Sequence, residues 1–342
     1  MSAARLFGSR TARDLAVALV VVFGVGSLAM LLAHASPIDG FAALFGGALG
    51  NASEVAETLV QTTALLFPAL GIALAFRAGL FNIGAEGQLV LGGLAAGVLG
   101  AALPLPGIVV IPVALAAGAA AGGAWGGLAG FLRARFGANE VIATLMLNVV
   151  AALLATYLVG GPLKAPGATA SETPLLPATA WLPAIVPDTR LTISFVIAVA
   201  LALLLRFVLA RTVFGYELRA AGEAPEAARR AGIDLARTAF TAMALSGAIA
   251  GLGGATIVMG VLHRFNNGLS PGYGFVAIAV ALVGNLDPLF IVIAAFAFGI
   301  LQSGAIAMQA EAQVPRDVVG IIEGLVIIAL AGRRVVASRR TS

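Results

Sequence analysis

Residues 191–260 read, in succession, LTISFVIAVALALLLRFVLA, RTVFGYELRAAGEAPEAARRAGIDLAR and TAFTAMALSGAIAGLGGATIVMG. An apolar run is followed by a charged run and then by a second apolar run. Each apolar run supplies the roughly 20 residues that a helix needs to cross the hydrocarbon of a bilayer. The same alternation recurs along the chain. Of 342 residues, 60% are hydrophobic and 11% charged, and mean hydropathy is +1.04. A soluble domain carries about 25% charged residues to cover its surface. The sequence therefore predicts an all-α polytopic membrane helix bundle, because in lipid a helix satisfies its own backbone amides.

Working outward gives about ten spans, at 15–34, 58–76, 83–103, 107–131, 140–160, 191–210, 238–260, 272–286, 288–307 and 317–332. The 272–286 element is short for a full crossing. The remainder divides into a cytoplasmic N-terminal segment 1–14, a transmembrane region 15–332 and a cytoplasmic tail 333–342. Within the transmembrane region lie an external loop 161–190 and a cytoplasmic segment 211–237. With both termini inside, only Lys164, Arg190, Arg264 and Arg316 of the 20 Lys and Arg residues fall outside. That is the bias of cytoplasmic loops toward basic residues. Arg5, Arg10 and Arg13 before Leu15–Leu32 resemble a signal peptide, but the apolar run is too long and predicts a retained first helix.

The 43 glycines and 15 prolines predict closely packed, partly broken helices. Cysteine is absent, which excludes disulfides and thiolate metal ligands, and His34 and His263 stand too far apart in sequence for a metal-site spacing. The net charge of +4 does not require nucleic acid, since the basic residues cluster between apolar spans and suit an anionic membrane face. Six prolines in 161–190, with Trp181 among them, predict an irregular external loop carrying an interfacial aromatic anchor. In 211–237, Pro225 opens a helical turn over Glu226–Ala231 and Gly232 closes it. This is either a helix under the membrane or a charged connector.

Polar residues inside apolar runs mark the candidate site. Asn82 and Glu86 are four residues apart, on one face of a helix placed near the inner boundary, with Gly84 and Gly87 permitting close approach and Gln88 adding an amide. They form either a helix start satisfying its own amides or a polar hinge. Asn139 precedes Glu140, Thr144 and Asn148, a stripe at i, i+4, i+8 that serves interhelical bonding or lines a path, Asn148 lying deepest. Asn266, Asn267 and Tyr273 offer hydrogen bonds at the outer mouth, and Phe265 and Phe275 offer stacking surfaces for a flat ligand; packing and turn formation account for the same residues without one. Glu323 is a buried carboxylate for which Gln302, Gln309 and Gln313 are partners by type.

GLFNIGAEGQLVLGG at 79–93 resembles the signature of permease subunits of ATP-binding-cassette importers for simple sugars and nucleosides. ANEVIATLMLN at 138–148 and PGYGFVAIAVALVGNLDP at 271–288 also fit that family, and ELRAAGEAPEAARRAGID at 217–234 resembles its cytoplasmic coupling segment. Within it, the chain looks closest to the longer of two nonidentical permeases that accompany a lipoprotein of the basic-membrane-protein kind. The resemblance implies a second permease subunit, an ABC ATPase carrying ATP and Mg, an extracytoplasmic solute-binding lipoprotein, and a bacterial inner membrane. It implies no chemistry on the solute. It assigns coupling to Gly222, Ala227, Ala228, Arg229, Arg230 and Gly232. The sequence contains no GxxxxGK[ST] phosphate loop, so ATP hydrolysis through that motif must lie on another chain. An ion- or proton-coupled secondary transporter using Glu86 and Glu323 is the alternative, although no equal halves are visible.

Overall fold

The computed structural model describes residues 23–315 together with 318, 320, 321 and 324. Its helices are α1 (Phe23–Leu32), α2 (Pro37–Leu49), α3 (Ala52–Arg77), α4 (Ala85–Ala102), α5 (Gly107–Phe136), α6 (Glu140–Gly160), α7 (Ser194–Arg211), α8 (Val213–Glu223), α9 (Pro225–Arg230), α10 (Leu235–Ile257), α11 (Tyr273–Val283) and α12 (Pro288–Glu311). A π turn, Val258–Leu262, extends α10. The described residues contain isolated β-bridges but no strand, so the all-α class stands. Seven helices are long and apolar enough to cross a membrane, or eight if α1 and α2, bent by 116°, form one broken span. The expected element at 272–286 is the 11-residue α11, and α2 lies where no span was expected. Apart from four positions, the expected span 317–332 lies outside the described residues, as does Glu323.

The chain divides into two compact units, one drawn from Met1–Gln61 and Phe296–Ser342 and the other from Thr62–Ala295. In the first, Met30, Leu44, Met308 and Val314 build a small core. Gly47 and Gly304 let α2 and α12 approach closely: a Cβ at Gly304 would sit 2.7 Å from Leu44 Cγ.

The second unit is organised by glycine. Gly118, Gly122, Gly126 and Gly130 recur every fourth residue on α5; the first three face Gly247 and Gly251 of α10, and Gly130 faces Phe240 and Met243. A Cβ at Gly122 would lie 2.7 Å from Gly251 Cα, and one at Gly251 2.8 Å from Gly122 Cα. Gly92 of α4 meets Gly251 as well, so α4, α5 and α10 touch backbone to backbone. Lipid offers helices no hydrophobic drive to associate, so small residues that bring backbones together and maximise dispersion contact supply the packing. α6 shows the complementary pattern. Thr144, Asn148, Ala151, Ala155 and Val159 form its buried stripe. Ile142, Met146, Val149, Leu153 and Tyr157 lie exposed on the other side. Small and polar groups face protein while large apolar groups face out, as a bilayer solvent requires.

Segment 161–190 is irregular except for a 3-10 turn at Ala178–Ala180. It is stitched to the end of α10 by Leu182 N–H to Met259 O (3.0 Å), Leu176 N–H to His263 O (2.8 Å) and Thr173 N–H to Phe265 O (2.9 Å). Arg264 pairs with Glu172 at 2.6 Å. The expected aromatic anchor Trp181 stacks on His263, with ring centroids 3.8 Å apart.

Candidate functional site

The site is built where two helices begin in the interior of the second unit. α3 ends at Arg77, and residues 78–84 are non-helical before α4 starts at Ala85. Asn82 therefore lies in the loop rather than on a helical face shared with Glu86. It is fully buried, and its amide forms a reciprocal pair with Gln88, Asn82 Nδ2 to Gln88 Oε1 at 2.9 Å and Gln88 Nε2 to Asn82 Oδ1 at 3.0 Å. Asn82 Nδ2 also donates to Ser246 Oγ at 2.8 Å, and Gly84 N–H donates to Asn82 Oδ1 at 3.0 Å. Every polar atom of this knot has a partner, which a buried polar group needs where water is scarce.

Asn148 holds the same loop from the other side. Its Oδ1 accepts from Gly87 N–H and its Nδ2 donates to Ile83 O, both at 2.9 Å. Gly87 permits this, since a Cβ there would meet Asn148 Oδ1 at 3.0 Å and Ala151 Cβ at 2.9 Å. Glu86 projects from the first turn of α4 to the start of α11, where its Oε2 accepts from Gly274 N–H at 2.7 Å. Beside it the Ser270 hydroxyl accepts from Gly272 N–H at 3.3 Å and Tyr273 N–H at 3.0 Å, capping the start of α11. At the opposite end of α11, Arg77 donates to Leu286 O at 3.2 and 3.3 Å and to Asn285 O at 3.5 Å. Asn285 and Leu286 both sit at φ 55°, a left-handed conformation that is strained for leucine and needs such external support. Beside them Arg206 pairs with Asp287 at 3.6 Å.

The ion pair between α5 and α6 gives a reference for the site's position along the helices. Glu140, at the start of α6, pairs with Arg133 near the end of α5 at 3.6 Å. Asn148 stands eight residues further along α6, about 12 Å at 1.5 Å per residue. A Cβ at Gly126, two turns before Arg133, would lie 3.2 Å from Gln88 Nε2. Gly84 meets Thr144, one turn beyond Glu140, so the Asn82–Glu86 cluster lies one to two turns along the helices from this ion pair. The loop 78–84 carries the chain there before the next helix starts.

A cavity of about 160 Å³ opens beside this cluster, lined by Glu86, Gly87, Asn148, Thr156, Ser270 and the 265–267 turn, with Val90, Ala152, Ala155 and Leu269 as its apolar wall. Of the expected path residues, it gathers Asn148, Phe265, Asn266 and Asn267. Thr144, Tyr273 and Phe275 do not line it. Thr144 is buried against its own helix, bonding Glu140 O at 2.7 Å, and Tyr273 packs on the core. Phe275 is 47% exposed on α11. Phe265 touches the cavity but is 0% exposed within the core cluster, so its ring is filled by protein on both faces and is not a free stacking surface. Asn139 caps α6 by accepting from Val141 and Ile142 N–H. Thr156 and Ser270 were not anticipated. Thr156 lies eight residues beyond Asn148 and continues the i, i+4 stripe, a signal the sequence did contain.

The 211–237 segment forms two short helices, α8 and α9, the second of them at the helical turn that Pro225 and Gly232 mark in the sequence. Thr212 caps α8 by accepting from Gly215 N–H at 3.1 Å. α9 starts at Pro225, and Gly232 turns the chain at φ 86°. Ala227, Arg229 and Arg230 are exposed while Ala228 is buried. Arg229 pairs only locally, with Glu226 at 3.5 Å. Gly222 is packed within the chain: a Cβ there would fall 2.7 Å from Gly79 N and 2.9 Å from Ala78 C. Among the described residues, no group of three or more His, Cys, Asp or Glu is arranged to hold a metal ion.

Residues 55–331 match the family described as the branched-chain amino acid transport system / permease component. The chain is 36% identical to the guanosine ABC transporter permease protein NupP of Bacillus subtilis, covering 92% of this chain and 91% of that protein. It is 32% identical to the nucleoside ABC transporter permease protein NupB of Lactococcus lactis, over 94% and 92% respectively. It is 33% identical to the glucose ABC transporter permease protein TsgB13 of Haloferax volcanii, over 91% and 85%. No solved structure matches. The chain belongs to this permease family and is a multi-pass membrane transport subunit of the ABC type, not an enzyme.

Proposed function

We propose that this permease forms the translocation path of an ATP-driven importer for a nucleoside, with a pentose or another simple sugar as the next class. The observation that carries the proposal is the cavity beside Glu86, Asn148 and Asn267, where polar side chains run from a buried amide, Asn148, out to an exposed one, Asn267, on an otherwise apolar bundle. Polar groups at such depth serve protein packing or a polar solute, and the cavity leaves room for the second. The names borne by the relatives supply the substrate class.

In this reading about ten spans place both termini in the cytoplasm, as the basic residues favour. α8 and α9 dock on an ABC ATPase that holds ATP and Mg, and an extracytoplasmic lipoprotein delivers solute. A second, nonidentical permease completes the path in a bacterial inner membrane. Ala227, Arg229 and Arg230 are exposed and suit the ATPase contact. Gly222 and Ala228 serve it from beneath by seating α8 and α9. The test is reconstitution of the complete complex and comparison of ATP-dependent uptake of nucleosides with uptake of pentoses. Charge reversal of Arg229 and Arg230 should leave the permease assembled and lower transport-coupled ATP hydrolysis. Uptake that proceeds without the ATPase refutes the assignment in favour of ion-coupled transport.

A further inference from the structure

We propose that α11 and residues 77–86 form one mechanical element, with Arg77 and Glu86 as the positioning residues that make it rigid. The inference rests on the transport reading above and adds how motion at α8 reaches the cavity. α11 is only 11 residues long, and its own segment holds its start through the Ser270 hydroxyl, which accepts from Gly272 and Tyr273 N–H. Two charged groups from outside that segment add to this: a carboxylate sits at its N-terminus and a guanidinium at its C-terminus, each sign matched to that end of the helix dipole. Both come from the stretch that joins α3 to α4. Glu86 reaches Gly274 N–H at 2.7 Å across 188 residues of sequence, and Arg77 reaches Leu286 O at 3.2 Å across 209.

Contact between the two parts is also steric. A Cβ at Gly274 would lie 2.5 Å from Glu86 Cα, so the starts of α4 and α11 are in backbone contact and shift together. The middle of the joining stretch rests on α8. Gly79, at φ 74°, faces Gly222, where a Cβ would come 2.7 Å from Gly79 N. Displacement of α8 therefore pushes on Gly79, the clamp carries α11 along, and Ser270 moves with Glu86 relative to Ala152 and Thr156 across the cavity. Asn148 is anchored by its amide on both sides of Glu86 and moves with it, so the spacing that changes is the one between the Asn267–Ser270 edge and the Ala152–Thr156 edge.

The chain lacks cysteine, so a single Asn267→Cys probe on the cavity wall can be read without background. In the assembled transporter, its labelling rate by a membrane-impermeant maleimide is compared without nucleotide and with ATP and vanadate. The expected result is a several-fold change with nucleotide. Adding Arg77→Gln should abolish that change while ATP hydrolysis continues; adding Glu86→Ala should abolish it as well, and Glu86→Gln, which keeps an acceptor for Gly274 N–H, should restore much of it. If Glu86→Ala fails to assemble, Arg77→Gln and Glu86→Gln carry the comparison. A probe whose labelling ignores nucleotide in the otherwise unaltered chain overturns the path reading, and the clamp with it. A probe that responds equally with and without the clamp substitutions, ATPase activity being intact, overturns the clamp alone.

Discussion

Replacing Asn148 by alanine separates two roles that its position allows. As a lining residue it would matter to the solute; as the anchor of the loop before α4 it matters to the protein. The substitution removes two hydrogen bonds of 2.9 Å, leaving Gly87 N–H and Ile83 O without partners. Side-chain bonds between membrane helices are worth about 0.6 kcal/mol each on average, which sets a floor of about 1 kcal/mol. Buried groups left dry cost about 1–3 kcal/mol each, a ceiling of about 6 kcal/mol. The adjoining cavity admits water to the freed groups, so the lower part of the range applies, about 2 kcal/mol. That corresponds to a fall of a few degrees in the apparent Tm of the detergent-solubilised permease. Asn148→Asp should be no better, because a carboxylate still accepts from Gly87 N–H but repels Ile83 O. The assay is thermal unfolding of the assembled complex, with KM for uptake measured in parallel. An Asn148→Ala protein of unchanged Tm and raised KM would refute the anchoring argument and return Asn148 to the solute path alone.

Gly122→Ala must force α5 and α10 apart by more than about 0.7 Å, since its Cβ would sit 2.7 Å from Gly251 Cα and closer still to Gly247 O, and should cost about 1–3 kcal/mol. Gly123→Ala, whose Cβ would meet Ala248 Cβ at 3.2 Å, should cost less, and the two are ranked by thermal stability in detergent. His263 stands just beyond the span Leu235–Leu262, stacked on Trp181 with its Nδ1 buried and unpartnered. Burial holds its imidazole below the ordinary value of 6.5. The unfolded chain then takes up the proton first, so this stabilisation is present above about pH 6.5 and is lost as pH falls below it. Stability should decline on acidification more steeply in the native protein than in His263→Asn, a residue that tolerates the φ of 56° at this position. Glu172→Ala removes the partner of Arg264 at 2.6 Å and should raise the protease sensitivity of segment 161–190 with little effect on helix content.

Much of the site was legible in the sequence as composition. Asn82, Glu86, Gln88 and Asn148 interrupt apolar runs, and no lipid-facing helix tolerates such residues, so their inward placement follows from transfer energetics. Their partners were not legible. The helix carrying Glu86 begins three residues after Asn82, so the i, i+4 reasoning applied to this pair assumed a helix that a loop replaces. Phe265 and Phe275 illustrate the same limit in opposite senses. Both are aromatic residues near a polar turn, yet one is sealed in the core and the other stands on an exposed face.

Hydropathy and glycine content alone determined that this chain spans a membrane, where α4 to α7 and α10 run to within a few residues, and that its helices would pack closely. These are properties of single segments, fixed by the free energy of moving side chains and amides from water into lipid. Only tertiary structure decided that Glu86 serves a helix 188 residues away, that Asn148 is bonded on both sides of its amide, and that Gly222 rests on Gly79. Those outcomes depend on which faces pack together, and a segment's own transfer energy carries no information about its neighbour.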